Sequence, residues 1–311
     1  MAQIAYIQVT RKCNQRCIIC SSPPTDRFLS FQKAKKQINE LISKGYKEIV
    51  LTGGEPTLYP YLPDLINYCV KKKILPRIIT NGQLISDFDY LKKIKRAGLK
   101  HLHLSIYSHK KKVQEKITQN KESLKNIKKA LNNLKKISDI KTDINITINK
   151  YNADHLSETV SWLLEKYNFI KHFVFNNLDP FRNRASQNPQ TIPRLNDFES
   201  ELHKSLKILE KNGKTFRVER VPLCYLSEYE HVSTETRKIV KKEDRIIYFL
   251  DKRGRFKQNQ WFYKKARCCN VCFLKNICAG LYHRGGYYDE KELYPVFVPK
   301  EKIIKKIIFN N

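Results

Sequence analysis

Nine cysteines are distributed very unevenly over the 311 residues. Cys13, Cys17 and Cys20 stand close together near the start, and Cys268, Cys269, Cys272 and Cys278 near the end, with Cys69 and Cys224 isolated between them. The start, MAQIAYIQVTRKCN, has no short apolar segment behind a basic region and no small-residue cleavage site, so a cytoplasmic location is expected. No apolar run approaches the roughly 18 residues of a membrane helix. In a reducing compartment, clustered cysteines point to metal binding rather than disulfides.

Cys13-Asn-Gln-Arg-Cys17-Ile-Ile-Cys20 places three thiolates on one tight loop. Such a loop suits three irons of a cubane cluster and leaves the fourth iron without a protein ligand. The competing reading is structural zinc, which needs four ligands and is usually built from paired CxxC knuckles. No further Cys or His lies nearby in sequence. In the second group, Cys269, Cys272 and Cys278 form CxxCxxxxxC, and a zinc ribbon is again the alternative. Cys69, on an amphipathic segment, reads as a small buried hydrophobe.

These residues need a scaffold, and the hydrophobic pattern supplies one. Strand-like runs at 4–9, 48–51, 77–80, 101–106, 142–148 and 171–176 alternate with helical patterns at 29–43, 61–72, 86–97, 121–137, 154–167 and 196–212. That alternation predicts βα units and a parallel sheet, whose ligand chemistry belongs at the C-terminal strand ends. The cysteine loop follows the first strand, Gly53-Gly54-Glu55-Pro56 the second, Thr80-Asn81-Gly82 the third and Leu104-Ser105-Ile106-Tyr107 the fourth. From Cys224 onward the rhythm fades, and cysteines and aromatics become dense.

In that register the chain resembles the radical S-adenosylmethionine superfamily. CxxxCxxC follows the first strand, a GGEP turn the second and a TNG segment the third, and Gln114 to Leu124 is similar to the stretch leading into the family's fourth helix. The resemblance implies an α/β fold, a partial (β/α)6 TIM-like barrel over residues 1–215, followed at 216–311 by a small cysteine-rich domain of the twitch or SPASM type. It implies two [4Fe-4S] clusters. Cys13, Cys17 and Cys20 would hold the one that binds S-adenosylmethionine, and Cys224, Cys269, Cys272 and Cys278 an auxiliary one, with Cys268 as rival to Cys269. Gly53, Gly54, Glu55, Asn81, Ser105 and Ile19 are the implied S-adenosylmethionine contacts. Glycines there would let the backbone approach the ligand, and Glu55 would offer an anionic acceptor to its ammonium. Relatives often carry an aromatic residue at the position of Ile19.

The implied reaction is reductive cleavage of S-adenosylmethionine to a 5′-deoxyadenosyl radical that abstracts hydrogen from a substrate. The Pro-Leu-Cys224 and CxxCxxxxxC layout is similar to peptide-maturing members, so a ribosomally made peptide is the expected substrate, acquiring a cross-link, a thioether or an epimerised residue. Sixty Lys and Arg against thirty Asp and Glu give a net charge of +30. This suits an acidic reductase such as flavodoxin or ferredoxin, and would also draw polyanions. RNA, nucleotide or another small-molecule substrate is therefore the alternative, although no RNA-recognition module is evident. A basic nucleic-acid-binding protein with two zinc sites is the non-enzymatic alternative. It leaves the GGEP turn and the βα alternation unexplained.

No catalytic side chain is singled out beyond these. His101 and His103 share one face of a strand, for which packing is the simpler role. Arg182 and Arg184 follow the last strand and are candidate contacts for a substrate carboxylate or phosphate. The aromatic run containing Tyr282, Tyr287 and Tyr288 is expected to wrap the second cluster.

Overall fold

The computed structural model describes residues 4–180, 184–281 and 287–309; Arg182 and Tyr282 lie outside them. Seven parallel strands stand side by side: β1 (Ile4–Thr10), β2 (Glu48–Gly53), β3 (Leu75–Thr80), β4 (His101–Ser105), β5 (Lys141–Ile148), β6 (His172–Asn177) and β7 (Thr215–Glu219). They are joined by α1 (Phe31–Ser43), α2 (Leu62–Lys71), α3 (Phe88–Arg96), α4 (Lys111–Thr118), α5 (Ser123–Ile137), α6 (Leu156–Lys166), α7 (Arg184–Gln187) and α8 (Leu195–Lys211). The fold is mixed α/β with a mostly parallel sheet, of the partial TIM-like type.

The helices form because each carries one apolar stripe. In α1 it is Ala34, Ile38 and Leu41, spaced to share a face, with the Ser30 side chain accepting the Lys33 N–H at the start. In α5 it is Leu124, Ile127, Leu131 and Leu134. These stripes meet the outward row of the strands, where Ile7, Leu51, Ile78, Leu102, Ile144 and Phe173 are fully buried.

The inward rows differ. Tyr6, Gln8, Arg77, His103, Asn145, His172, Asn176, Arg217 and Glu219 line a cavity of about 1520 Å³. Parallel strands usually read as continuous apolar runs because both faces are buried in apolar packing. Here the strands alternate because one face borders an open lumen.

After β7 the chain runs through α9 (Thr234–Lys241) and returns as β8 (Arg245–Tyr248), parallel to the free side of β1, with β9 (Arg255–Gln258) antiparallel beyond it. A boundary after residue 215 therefore falls at the first residue of β7, and residues 245–258 continue the barrel sheet. Among the described residues the sheet does not close on itself, but Arg245 of β8 donates to Glu219 of β7 at 2.9 Å. The later cysteines lie beyond this hairpin, ahead of α10 (Lys300–Phe309). No described helix is long and apolar enough to cross a membrane.

Candidate active site

The cysteine loop is fixed to the barrel rim from three directions. On one side the Gly54 N–H donates to the Thr10 carbonyl and the Glu55 N–H to the Lys12 carbonyl, each at 2.7 Å. On the second, the Ile18 N–H donates to the Ile117 carbonyl at 2.9 Å and the Arg16 N–H to the Thr118 carbonyl at 3.2 Å, at the end of α4. On the third, Arg184 donates from its side chain to the Cys17 carbonyl at 3.2 Å and from its backbone to that of Cys20 at 3.3 Å. Arg184 thus holds the cysteine loop.

The glycines of the GGEP turn have a role that the sequence did not show. A Cβ at Gly53 would stand 1.9 Å from the Thr10 carbonyl oxygen, and one at Gly54 would stand 2.3 Å from that of Lys12. Their bareness lets the end of β2 press against the base of the cysteine loop. Glu55 is 1 % exposed. Its Oε1 accepts the Thr57 N–H at 3.1 Å and the Thr57 and Thr80 hydroxyls at 2.7 Å each, and its Oε2 accepts the Asn81 N–H at 2.7 Å. The carboxylate that the sequence offers to an ammonium ties β2 to the end of β3.

Asn81 carries that connection to the cysteines, since its side-chain amide lies 3.8 Å from the Cys13 sulfur and 2.8 Å from Asn14 Oδ1. Cys13, Cys17, Cys20, Gly53, Gly54, Glu55, Asn81, Ser105 and Ile19 all line the same lumen. Ile19 is buried with Ile117, Leu178 and Ala185, giving the rim an apolar wall. Tyr107, which the sequence marked only as part of the fourth motif, packs with Cys17 against the Ile19 cluster. Its signal was its place just after β4.

Burial pushes the Cys13 thiol up to about 11 and that of Cys17 well above its ordinary value, and mutual repulsion among the thiolates adds to both. Burial also raises Cys20, against the charges of Arg184 and Arg11. Thiolates here require further positive charge, which bound metal supplies.

In the second group, Cys224, Cys269, Cys272 and Cys278 line one small cavity of about 20 Å³. Cys224 lies on the turn Leu223–Tyr225, and Cys268 and Cys269 on the turn Arg267–Val271. The Val296 N–H donates to Cys272 Sγ and the Gly280 N–H to Cys278 Sγ, both at 3.3 Å. Cys268 does not line the cavity; its thiol donates to the Leu293 carbonyl at 3.3 Å. Burial raises the Cys224 thiol to about 12 and that of Cys269 to about 11. Cys69 is fully buried among apolar side chains.

The Radical SAM superfamily sequence model matches residues 7–163, half of the chain. An Fe-coproporphyrin III synthase of Methanosarcina barkeri is 33% identical over 149 residues, 47% of this chain and 37% of that protein. A GTP 3′,8-cyclase of Aliarcobacter butzleri is 34% identical over 147 residues, 45% of this chain and 44% of that protein. The aligned regions thus span less than half of these relatives. Native anSMEcpe with bound AdoMet and Cp18Cys peptide superposes with a TM-score of 0.67 at 16% identity, covering 100% of this chain and 96% of that one. An iron–sulfur cluster and S-adenosylmethionine are accordingly the enzyme's cofactors, and the chain belongs to the radical SAM superfamily of enzymes.

Proposed function

We propose that this enzyme oxidatively modifies a peptide inside the barrel lumen, with an auxiliary [4Fe-4S] cluster held by Cys224, Cys269, Cys272 and Cys278. The observation that carries the reading is the lumen itself. At about 1520 Å³ it exceeds the roughly 300–1,000 Å³ of an ordinary small-ligand pocket. It runs without interruption from the cysteine loop to Arg217 and Arg237, leaving room for a chain segment beside S-adenosylmethionine. The peptide-bound relative of matching shape supports the same reading.

When bound, the rim cluster and S-adenosylmethionine supply a carbon-centred radical that abstracts hydrogen. The protein's part is placement. Cys13, Cys17 and Cys20 hold the cluster, the Gly53–Glu55 turn and Asn81 fix the adjoining rim, and Ser105 lines the lumen below it. Ile19 and Tyr107 restrict water at the rim. The +30 charge favours an acidic flavodoxin- or ferredoxin-like reductase.

A nucleotide substrate is the second reading, favoured by one feature. Arg217 and Arg237 both line the lumen, and Arg217 is held down to about 10 by burial and by the neighbouring Arg237. Neither belongs to a salt bridge among the described residues, so an anionic group would be welcome between them.

Anaerobic reconstitution with dithionite and S-adenosylmethionine tests the proposal. Peptides encoded beside this gene should increase 5′-deoxyadenosine formation and acquire a loss of hydrogen or a cross-link by mass spectrometry. Stimulation by GTP and not by any peptide would transfer the assignment to the nucleotide reading. Cys17→Ala should abolish the product in either case.

A further inference from the structure

A second constellation lies in the wall of the lumen, away from both cysteine groups. On adjacent strands His103 pairs directly with Asp143, and Asp143 with His172, so the three form one lateral row across β4, β5 and β6. His101 sits one step below His103 on the same face of β4, because residues two apart on a strand point the same way. The rings of His101 and His103 are stacked 5.0 Å apart. Asp143 Oδ2 is 2.6 Å from His101 Nε2 and 3.8 Å from His103 Nδ1.

We propose that His101, His103 and Asp143 form a binding site for a divalent metal ion, zinc by the chemistry of its ligands, with His172 beside it and an open position toward the lumen.

Two observations bear on this. The three ligand atoms lie mutually within 4.8 Å, and they are the one such trio among the described residues. Asp143 is 2 % exposed, yet its Oδ1 has no hydrogen-bond partner. Leaving a buried carboxylate oxygen unmatched is costly, and a cation nearby offsets that cost.

Two imidazoles and a carboxylate with one position left open is a recurring catalytic zinc set. The surrounding charge does not prevent occupancy: Arg77, whose field reaches His103, is itself paired with Glu48. Arg217 lies on the far side of His172 in the next strand. His103 and His172 line the cavity, whereas His101 and Asp143 are sealed behind them. The open position would therefore face the substrate space, where the ion could take a carbonyl or carboxylate oxygen. This distinguishes it from the cysteine groups, which offer sulfur.

The test uses the full chain with its clusters reconstituted anaerobically, stripped of loosely held metal and then titrated with zinc. One zinc per chain should survive desalting, and zinc-edge X-ray absorption should show nitrogen and oxygen neighbours at about 2.0–2.1 Å without sulfur at about 2.3 Å. Asp143→Asn, which keeps the shape of the side chain, should weaken zinc binding by at least tenfold while iron content stays unchanged. His103→Gln gives a second, independent loss should Asp143→Asn fail to fold. Zinc bound through sulfur, the absence of stoichiometric zinc, or equal affinity in folded variants would overturn the proposal. None of these readouts depends on the identity of the substrate.

Discussion

Arg184 donates from its guanidinium to the carbonyl of Cys17, 167 positions away in sequence, at 3.2 Å. The contact ties the cysteine loop to the segment after β6. Arg184→Ala should therefore lower cluster occupancy several-fold while leaving the thermal midpoint of the barrel nearly unchanged, because α7 is a four-residue helix at the rim. Iron per chain, read beside a circular-dichroism melt, separates the two effects. Full iron loading in the variant would show that the loop holds its shape without this clamp.

Gly54 is packed against backbone that cannot move independently. An alanine Cβ there meets the Lys12 carbonyl oxygen at 2.3 Å and that of Arg11 at 2.6 Å. Gly54→Ala should destabilise the protein by about 1–3 kcal/mol, as overpacking does, and should displace the start of the cysteine loop. Denaturant melts and the visible absorption of the reconstituted cluster would report both. An unchanged protein would mean that β2 has slack at its end.

Glu55 accepts only donors, so replacing one of its oxygens with an amide nitrogen sets N–H against N–H or O–H. Glu55→Gln should cost about 1–3 kcal/mol and weaken S-adenosylmethionine binding through the displaced Asn81. Differential scanning fluorimetry with and without S-adenosylmethionine tests the two together. A variant with normal stability and ligand response would remove the clamp role.

His231 gives a pH dependence with a definite sign. Its Nδ1 is buried without a hydrogen-bond partner. Burial first, then the charges of Lys306, Arg217 and Arg237, push its pKa down to about 4. In the unfolded chain it titrates near 6.5, so the unfolded state takes up more protons as the pH falls below about 6.5. Stability is lost through the window from about 6.5 down to about 4, with a slope of at most about 1.4 kcal/mol per pH unit from this group. His231→Gln should flatten that part of the profile. Parallel profiles for both proteins would assign the slope elsewhere.

Cys268 and Cys269 make opposite predictions for the auxiliary site. Cys269→Ser should reduce iron from about eight to about four per chain, whereas Cys268→Ser should leave it near eight, since that thiol faces the Leu293 carbonyl. The reverse pattern would exchange their roles.

The barrel was legible in the sequence because its outer shell announces itself. Rows such as Ile144, Ile146 and Ile148 on β5 face helix stripes that repeat at helical spacing. The hairpin of β8 and β9 was not legible: Arg-Ile-Ile-Tyr is only four residues long, and Arg255, Phe256 and Lys257 are exposed. Its place beside β1 follows from long-range pairing that periodicity does not encode. The rim was readable as residues but not as partnerships. Sequence marked Gly53, Gly54 and Glu55 as ligand-facing but did not show the contacts they also make with the cysteine loop and with β3. Arg184 was equally visible, yet its target depends on how the chain folds back after β6. The lumen histidines looked like packing because a strand pattern shows which residues share a face and not whether that face meets water.

The alternation along every barrel strand has an evolutionary consequence. The residues that meet the helices and those that meet the lumen are different sets, interleaved one by one along the same backbone. Selection can exchange Arg217, His172 or Asn145 for a new substrate while Phe173, Val218 and Ile144 continue to bury their surface outward. Such a shell can be inherited intact while its contents diverge, and a change of reaction does not require a new core.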